Sequence, residues 1–251
     1  MEIFYDCLEY FGNHVIGCNK PVSDNFYEIF NTTQKFYLAN LRESIQNHLK
    51  CGAIPAVPGK SFYNYLIIDG KSLLELLEKI DDTKDISTQI LEAFKKTILY
   101  VGKGIKGRKL DHLVEGKKII LKQLKLSKIC AKYSKITQIW ERGHGIVCLQ
   151  IFGESDHFEA HCKEFAIIKA IGLNNLTNVN SGLVFGDMKD FWNSKEVENF
   201  GNMILYNTLK MCVSVRPVAI YKEDIITKVK DPKSDDGLWE LRGILEYFLD
   251  M

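Results

Sequence analysis

Two short runs of aromatic and β-branched residues, each closed by glycine, set most of what this chain can fold into. Residues 62–68 end at Asp69-Gly70, and residues 97–101 run directly into Gly102, Gly104 and Gly107. Both runs are too short for helices and rich in strand formers, so each predicts a buried strand followed by a tight turn. A third strand is expected over 146–152, after Gly143-His144-Gly145. Amphipathic spacing predicts helices over 72–80, 87–94 and 127–142, and one after Gly107 with Leu110, Leu113 and Val114 on its core side. A further helix starts with Asp156 as N-cap and Glu159 at the third position, a capping-box arrangement, and stops at Gly172. The expected fold class is therefore α+β: a small, mainly antiparallel central sheet flanked by helices, with helical amino- and carboxy-terminal extensions.

The amino-terminal extension, residues 1–60, carries Phe26, Ile29, Phe30, Tyr37, Leu38, Leu41, Ile45 and Leu49 at helical spacing. Gly52, Pro55, Pro58 and Gly59 then break the chain. Residues 61–186 form the expected core, and 187–251 a carboxy-terminal extension packing on it. The tail from residue 182 onward reads as short helices and loops, with an exposed turn over 230–237. No ankyrin-like or other solenoid period is present.

Net charge is only +1, yet charge is unevenly placed. Residues 95–142 hold fourteen Lys/Arg against Asp111, Glu115 and Glu141, a net of +11 that leaves −10 for the remainder. Such a stretch attracts a polyanion while the whole protein stays near neutral; its ordinary alternative is a solvated lysine-rich helix face. Seven cysteines, odd in number and without a CxxC pair, argue against a disulfide framework or a cysteine-rich zinc site. They point to a reducing compartment, the nucleus or the cytoplasm. No run approaches the ~18 apolar residues that span a bilayer, and the first residues do not read as a secretory signal, so no membrane partner is expected.

Seven polar positions on the expected strands, helices and loops could carry chemistry. Tyr65 lies in the first strand and Tyr100 at the end of the second, so cross-strand pairing brings their hydroxyls within reach. Arg108, His112 and Glu115 share one helix face at i, i+4 and i+7. Glu164 follows His157 and His161 on another helix, and Asn178 lies in the polar loop beyond it. Each has an ordinary explanation alone: strand packing for the tyrosines, a solvated helix face for the charged groups. Their order along the chain is the more specific signal. A zinc-protease helix is excluded because Phe158, not Glu, follows His157, and no third ligand is identifiable for His157, His161 and Cys162. Gly102-Lys103-Gly104 is not a phosphate-binding Walker loop, since no Gly-Lys-Ser/Thr opens a helix. Trp140, Trp192 and Trp239 are expected as core anchors.

Tyr100-Val101-Gly102-Lys103-Gly104, then Arg108 and His112, then Glu164 and Leu176-Thr177-Asn178, resemble the GIY-YIG nuclease superfamily. Tyr65 to Asp69, Glu159 and residues 170–178 resemble in particular the endonuclease domain of metazoan ankyrin-repeat and LEM-domain proteins. The likeness covers roughly residues 61–186. The first motif keeps only its second tyrosine, as Tyr63-Asn64-Tyr65, and the segment before the second motif is long. Neither ankyrin repeats nor a LEM fold is evident, so the sequence reads as a stand-alone relative or as part of a longer protein.

The resemblance implies a phosphodiester hydrolase acting on DNA with one Mg²⁺ or Mn²⁺ per active site, selecting branched, flapped or bent duplexes. In that reading Tyr65 is the general base, and Arg108 presents its planar fork of donors to phosphate oxygens. Glu164 holds the metal, while Tyr100 and His112 position the water or shuttle a proton. Lys103, Lys106, Lys109, Lys117 and Lys118 are the candidate DNA contacts, with Asn178 either among them or fixing the sheet edge. Two other readings remain open: a nucleic-acid-binding module that kept the fold without catalysis, and a nuclease of a mobile element or defence system. Oligomeric state is not legible.

Overall fold

The computed structural model describes residues 32–52, 61–80, 86–105, 107–122 and 130–225. Its centre is a three-stranded, fully antiparallel sheet in the order β2-β1-β3. The strands are β1 (Phe62–Asp69), β2 (Ile98–Gly104) and β3 (Ile146–Ser155). Helix α1 (Thr32–Lys50) precedes them; α2 (Gly70–Leu77) and α3 (Thr88–Thr97) connect β1 to β2; α4 (Arg108–Ile120) and α5 (Ala131–Glu141) connect β2 to β3. After β3 come α6 (His157–Ile171), the short α7 (Asp187–Asp190) and α8 (Ser194–Val215). Among the described residues no helix is long and apolar enough to cross a membrane.

The central strand is buried on both faces, which is why it reads as an unbroken apolar run. With a side-chain period of two, Leu66 and Ile68 enter one core with Val101, Val147 and Leu149, closed by α6 and α8. Tyr63, Tyr65 and Ile67 enter a second core on the opposite face with Leu110, Leu113, Ile136, Trp140 and Cys148, closed by α4 and α5. Gly116 lets α4 and α5 approach, because a Cβ there would stand 3.0 Å from Ile136 Cγ2. The polar candidates sit at the rim of this second core.

Local signals account for the helix ends. Asp69 caps α2, Ser87 caps α3, and Asp156 accepts from the amides of Phe158 and Glu159 at the start of α6. Glu159 does not complete the expected capping box. Its carboxylate is buried and bonded to Arg42 Nε at 2.9 Å and Lys163 Nζ at 2.6 Å, an ion cluster that ties α1 to α6.

The tail differs most from expectation. Instead of short helices and loops, residues 194–215 form one 22-residue helix, opened by an Asn193/Glu196 capping box. Gly201 in its middle lowers intrinsic helix propensity, which hides the helix from a local reading. The reason for that glycine is tertiary: a Cβ would collide with the Ala166 carbonyl oxygen of α6, so the two helices cross backbone to backbone.

Cys51, Cys130, Cys148, Cys162 and Cys212 are thiols outside any disulfide, the last three buried. Trp140 is buried, with its indole N–H donating to the Ile220 carbonyl at 3.1 Å, and Trp192 packs edge-on against Phe200. Trp239, the 230–237 turn, Phe26, Ile29 and Phe30 lie outside the described residues.

Candidate active site

Register builds the site. Tyr65 pairs with Gly102 and Ile67 with Tyr100, so the two tyrosines are diagonal neighbours on one face of the β1–β2 ladder. Their ring centroids are 6.1 Å apart and the rings are tilted by 38°. Gly102 makes this possible: a Cβ there would stand 2.5 Å from Tyr65 Oη and 2.8 Å from Tyr100 Cε1. Gly104 does the same for Arg108, whose Cβ and Cγ would lie 2.8 and 2.9 Å from an added methyl. The two glycines after Tyr100 are thus spaces for specific side chains rather than turn residues.

Helix α4 supplies the next layer. His112 Nε2 is 2.7 Å from Tyr65 Oη, and both residues are nearly inaccessible. Lys132 of α5 then places its ammonium 2.9 Å from His112 Nδ1, over the ring of Tyr100 at 4.3 Å and that of Tyr133 at 5.0 Å. The Tyr133 hydroxyl donates to Glu115, whose charge also acts on Lys132. Sequence reading passed over Lys132, because nothing local separates it from the other lysines of the basic stretch.

Burial dominates the proton affinities. Tyr65 is pushed far above the ordinary tyrosine range by burial, then by Tyr100 and Cys148, with Arg108 acting the other way. Tyr100 is raised by burial and by Glu164, opposed by the neighbouring Tyr65 hydroxyl and by Arg108. His112 is lowered to about 3, by burial first and then by Lys132 and Arg108. Lys132 is lowered to about 8, chiefly by burial.

The sign for His112 yields a stability prediction. Its folded-state affinity is depressed, so as pH falls below 6.5 the unfolded chain takes up the proton and the folded chain does not until about 3. Lowering the pH from 7 to 5.5 is expected to remove about 1 kcal/mol through this residue alone. Urea unfolding at the two pH values, compared with His112→Gln, measures it; an equal pH effect in both proteins would defeat the assignment.

Across the rim, Glu164 is half-buried on α6. Burial raises its carboxyl to about 7, against the opposing charge of Lys103 and a hydrogen bond from the Lys103 backbone amide. His161 Nδ1 stands 3.9 Å from Glu164 Oε2 and, like His157 Nδ1, is buried without a hydrogen-bond partner. Burial and the Lys103 charge hold His161 neutral, down to about 4. Among the described residues no group of three or more His, Cys, Asp or Glu could enclose a metal. One carboxylate beside a neutral imidazole fits a divalent ion that keeps most of its own waters.

Arg108 opens α4 and is exposed, and its charge reaches Tyr65, Tyr100, Lys103, His112 and Lys132. The three residues expected on one face of α4 are therefore not equivalent: Arg108 is exposed, Glu115 half-buried and His112 buried, because α5 covers the helix beyond its first turn.

Several expected DNA contacts lie elsewhere. Lys109 is 3% exposed and donates to Gln150 Oε1 at 2.6 Å, because the helix position after Arg108 points at the sheet. Lys117 is half-buried and donates to the Ile225 carbonyl. Lys118 is also half-buried, Lys103 lies over the Phe62 ring at 5.3 Å, and Lys106 is outside the described residues. Asn178 spends its whole amide on Val101, accepting from its N–H at 3.0 Å and donating to its carbonyl at 2.7 Å. With Thr177 bonded to the Leu99 carbonyl, it zips the loop onto the open edge of β2 and holds the sheet edge.

Residues 62–227 match the LEM-3-like GIY-YIG domain. Among characterised proteins the chain is 33% identical over 157 residues to an ankyrin repeat and LEM domain-containing protein 1 homolog of Caenorhabditis elegans, covering 61% of this chain and 21% of that protein. It is 32% identical over 127 residues to ankyrin repeat and LEM domain-containing protein 1 of Mus musculus, covering 51% and 23%. The Homo sapiens protein of the same name is 28% identical over 167 residues, covering 66% and 27%. The chain thus spans only about a quarter or less of the length of these relatives. No solved structure matches. The family match begins with β1 and runs beyond α8, taking in the whole sheet and every described site residue. The chain therefore belongs to the LEM-3-like GIY-YIG domain family, a family of nuclease domains.

Proposed function

We propose that this domain is a divalent-metal-dependent DNA endonuclease that selects branched, flapped or bent duplexes. The observation that carries the reading is the convergence of three kinds of group at one rim. These are a buried tyrosine pair backed by His112 and Lys132, an exposed arginine at a helix start, and a half-buried carboxylate opposite. Selection by DNA structure rests on the likeness to LEM-type domains.

Phosphodiester hydrolysis needs a water stripped of its proton, positive charge on the phosphate oxygens, and help for the leaving oxygen. Arg108 supplies the second, as a planar fork reaching out from the first turn of α4. Tyr65 and Tyr100 act as one unit with rings 6.1 Å apart: Tyr65 is sealed in the core, while Tyr100 is half-exposed and feels the charge of Glu164. The unit first loses a proton to solvent, leaving a phenolate whose charge His112 faces at Tyr65; the phenolate then takes the proton of the attacking water and returns to neutral. Burial alone opposes a phenolate here, so the unit depends on the nearby cationic groups, Arg108 first. Glu164 would hold a single Mg²⁺ or Mn²⁺, which when bound neutralises charge on the phosphate and leaving oxygens.

The test is cleavage of plasmid, linear duplex, nicked, flap and four-way DNA at fixed salt with Mg²⁺, by wild type, Tyr65→Phe and Arg108→Ala. Fixed salt matters because binding to any DNA varies steeply with it. Wild type is expected to prefer the branched substrates, and each variant to lose ~10²–10³-fold in rate. If wild type binds these DNAs but cuts none, the domain is a binding module and the enzyme reading fails. Equal cutting of all five substrates would remove the structure-selective part alone.

A further inference from the structure

We infer that Lys132 is a positioning residue that locks His112 as a hydrogen-bond donor to Tyr65, so that His112 does not serve as the acceptor of the Tyr65 proton. The argument is one of donors and acceptors. An ammonium has three donors and no acceptor; it stands 2.9 Å from His112 Nδ1 and 3.5 Å from Nε2, so the nearer Nδ1 is the nitrogen that presents its lone pair. A neutral imidazole carries one proton, which must then sit on Nε2 and point at Tyr65 Oη, 2.7 Å away. The Tyr65 oxygen accepts that proton's hydrogen bond, which leaves its own O–H to turn away from His112. Both bonds in the series Lys132, His112, Tyr65 therefore run one way, from the buried ammonium to the tyrosine oxygen.

The lock is well supported. Lys132 is 9% exposed, and its Nζ is clamped by the faces of Tyr100 and Tyr133. The groups facing His112 are Tyr65 from β1, Tyr100 from β2, Arg108 from its own helix, and Lys132 and Tyr133 from α5. Among the described residues no carboxylate is hydrogen-bonded to the imidazole; Glu115 is engaged by Tyr133. The two neighbouring cations both oppose an imidazolium, which keeps the ring in the single-proton form the lock requires. The chemical consequence is a preorganised donor aimed at the Tyr65 oxygen, stabilising negative charge there without rearrangement. The role in DNA hydrolysis rests on the function proposed above, whereas the tautomer does not.

The full chain, with ¹⁵N-labelled histidine, allows a direct test by long-range ¹H–¹⁵N correlation at neutral pH without DNA or metal. His112 is expected as the Nε2–H tautomer in wild type. In Lys132→Met it is expected to lose that uniformity and to titrate at higher pH, because a repelling charge is gone, while Lys132→Arg keeps the donor and restores both. An Nδ1–H tautomer in wild type overturns the inference, as does an unchanged tautomer and titration in Lys132→Met. Cleavage rates add a second readout: ~10²-fold loss in Lys132→Met with rescue by Lys132→Arg is expected. A protein with the Nε2–H tautomer that cuts no DNA would defeat the nuclease reading and leave the lock standing.

Discussion

Glu164→Gln is expected to lower Mg²⁺-dependent cleavage of branched DNA by ~10²–10³-fold while leaving the fold intact. The substitution keeps the side-chain volume and an oxygen able to accept the Lys103 backbone amide, and it removes only the charge. That charge is costly where it stands, since burial already raises the carboxyl to about 7. Thermal stability in the absence of metal should therefore be unchanged or slightly higher. A ligand bound to the folded state alone stabilises it, so Mg²⁺ should raise the Tm of wild type and fail to do so in the variant. Single-turnover cleavage and melting curves with and without Mg²⁺ make the measurement. A variant that cuts at the wild-type rate, or that keeps the Mg²⁺-induced rise in Tm, would remove Glu164 from the metal site.

Gly102→Ala carries the second large effect, and it acts through space rather than charge. The added methyl would stand 2.5 Å from Tyr65 Oη and 2.8 Å from Tyr100 Cε1, with the Tyr65 ring carbon bearing the hydroxyl closer still. Tyr65 has no room to retreat, since it is 1% exposed and lies between Tyr63, His112 and the sheet. Overpacking of this kind costs about 1–3 kcal/mol. Displacing a reacting group by ~1 Å costs ~10²-fold in rate. Urea denaturation and cleavage kinetics on the same preparation should show both losses together. Wild-type stability and activity in Gly102→Ala would mean that Tyr65 does not occupy the position described.

The strands and their glycines were legible because both signals are local. A run of aromatic and β-branched residues ending in glycine has few other solutions, and β1, β2 and β3 each lie where such a run occurs. Tyr65, Tyr100, Arg108, His112 and Glu164 stand out in the sequence by their order; in the fold Tyr65, Tyr100 and His112 pack together, and the charges of Arg108 and Glu164 reach Tyr100. The roles assigned to lysines fared differently. Lys109 and Lys132 are indistinguishable by composition from solvated neighbours, yet one is bonded to Gln150 and the other to His112. Whether a helix lysine faces water depends on what covers the helix, and α5 covering α4 is a long-range event with no local marker. The same holds for α8, whose central glycine weakens the local helix signal while serving its crossing with α6.

Local signals in the sequence account for the antiparallel α+β class and the positions of the strands. These follow from period-two patterning and from turn chemistry, which act between residues near in sequence. Tertiary structure alone decided that Tyr65 is sealed while Tyr100 faces outward, that Asn178 holds the edge of β2, and that Lys132 stands behind His112. Those outcomes depend on packing between segments remote in sequence and on desolvation, which shifts proton affinities only once the burial exists.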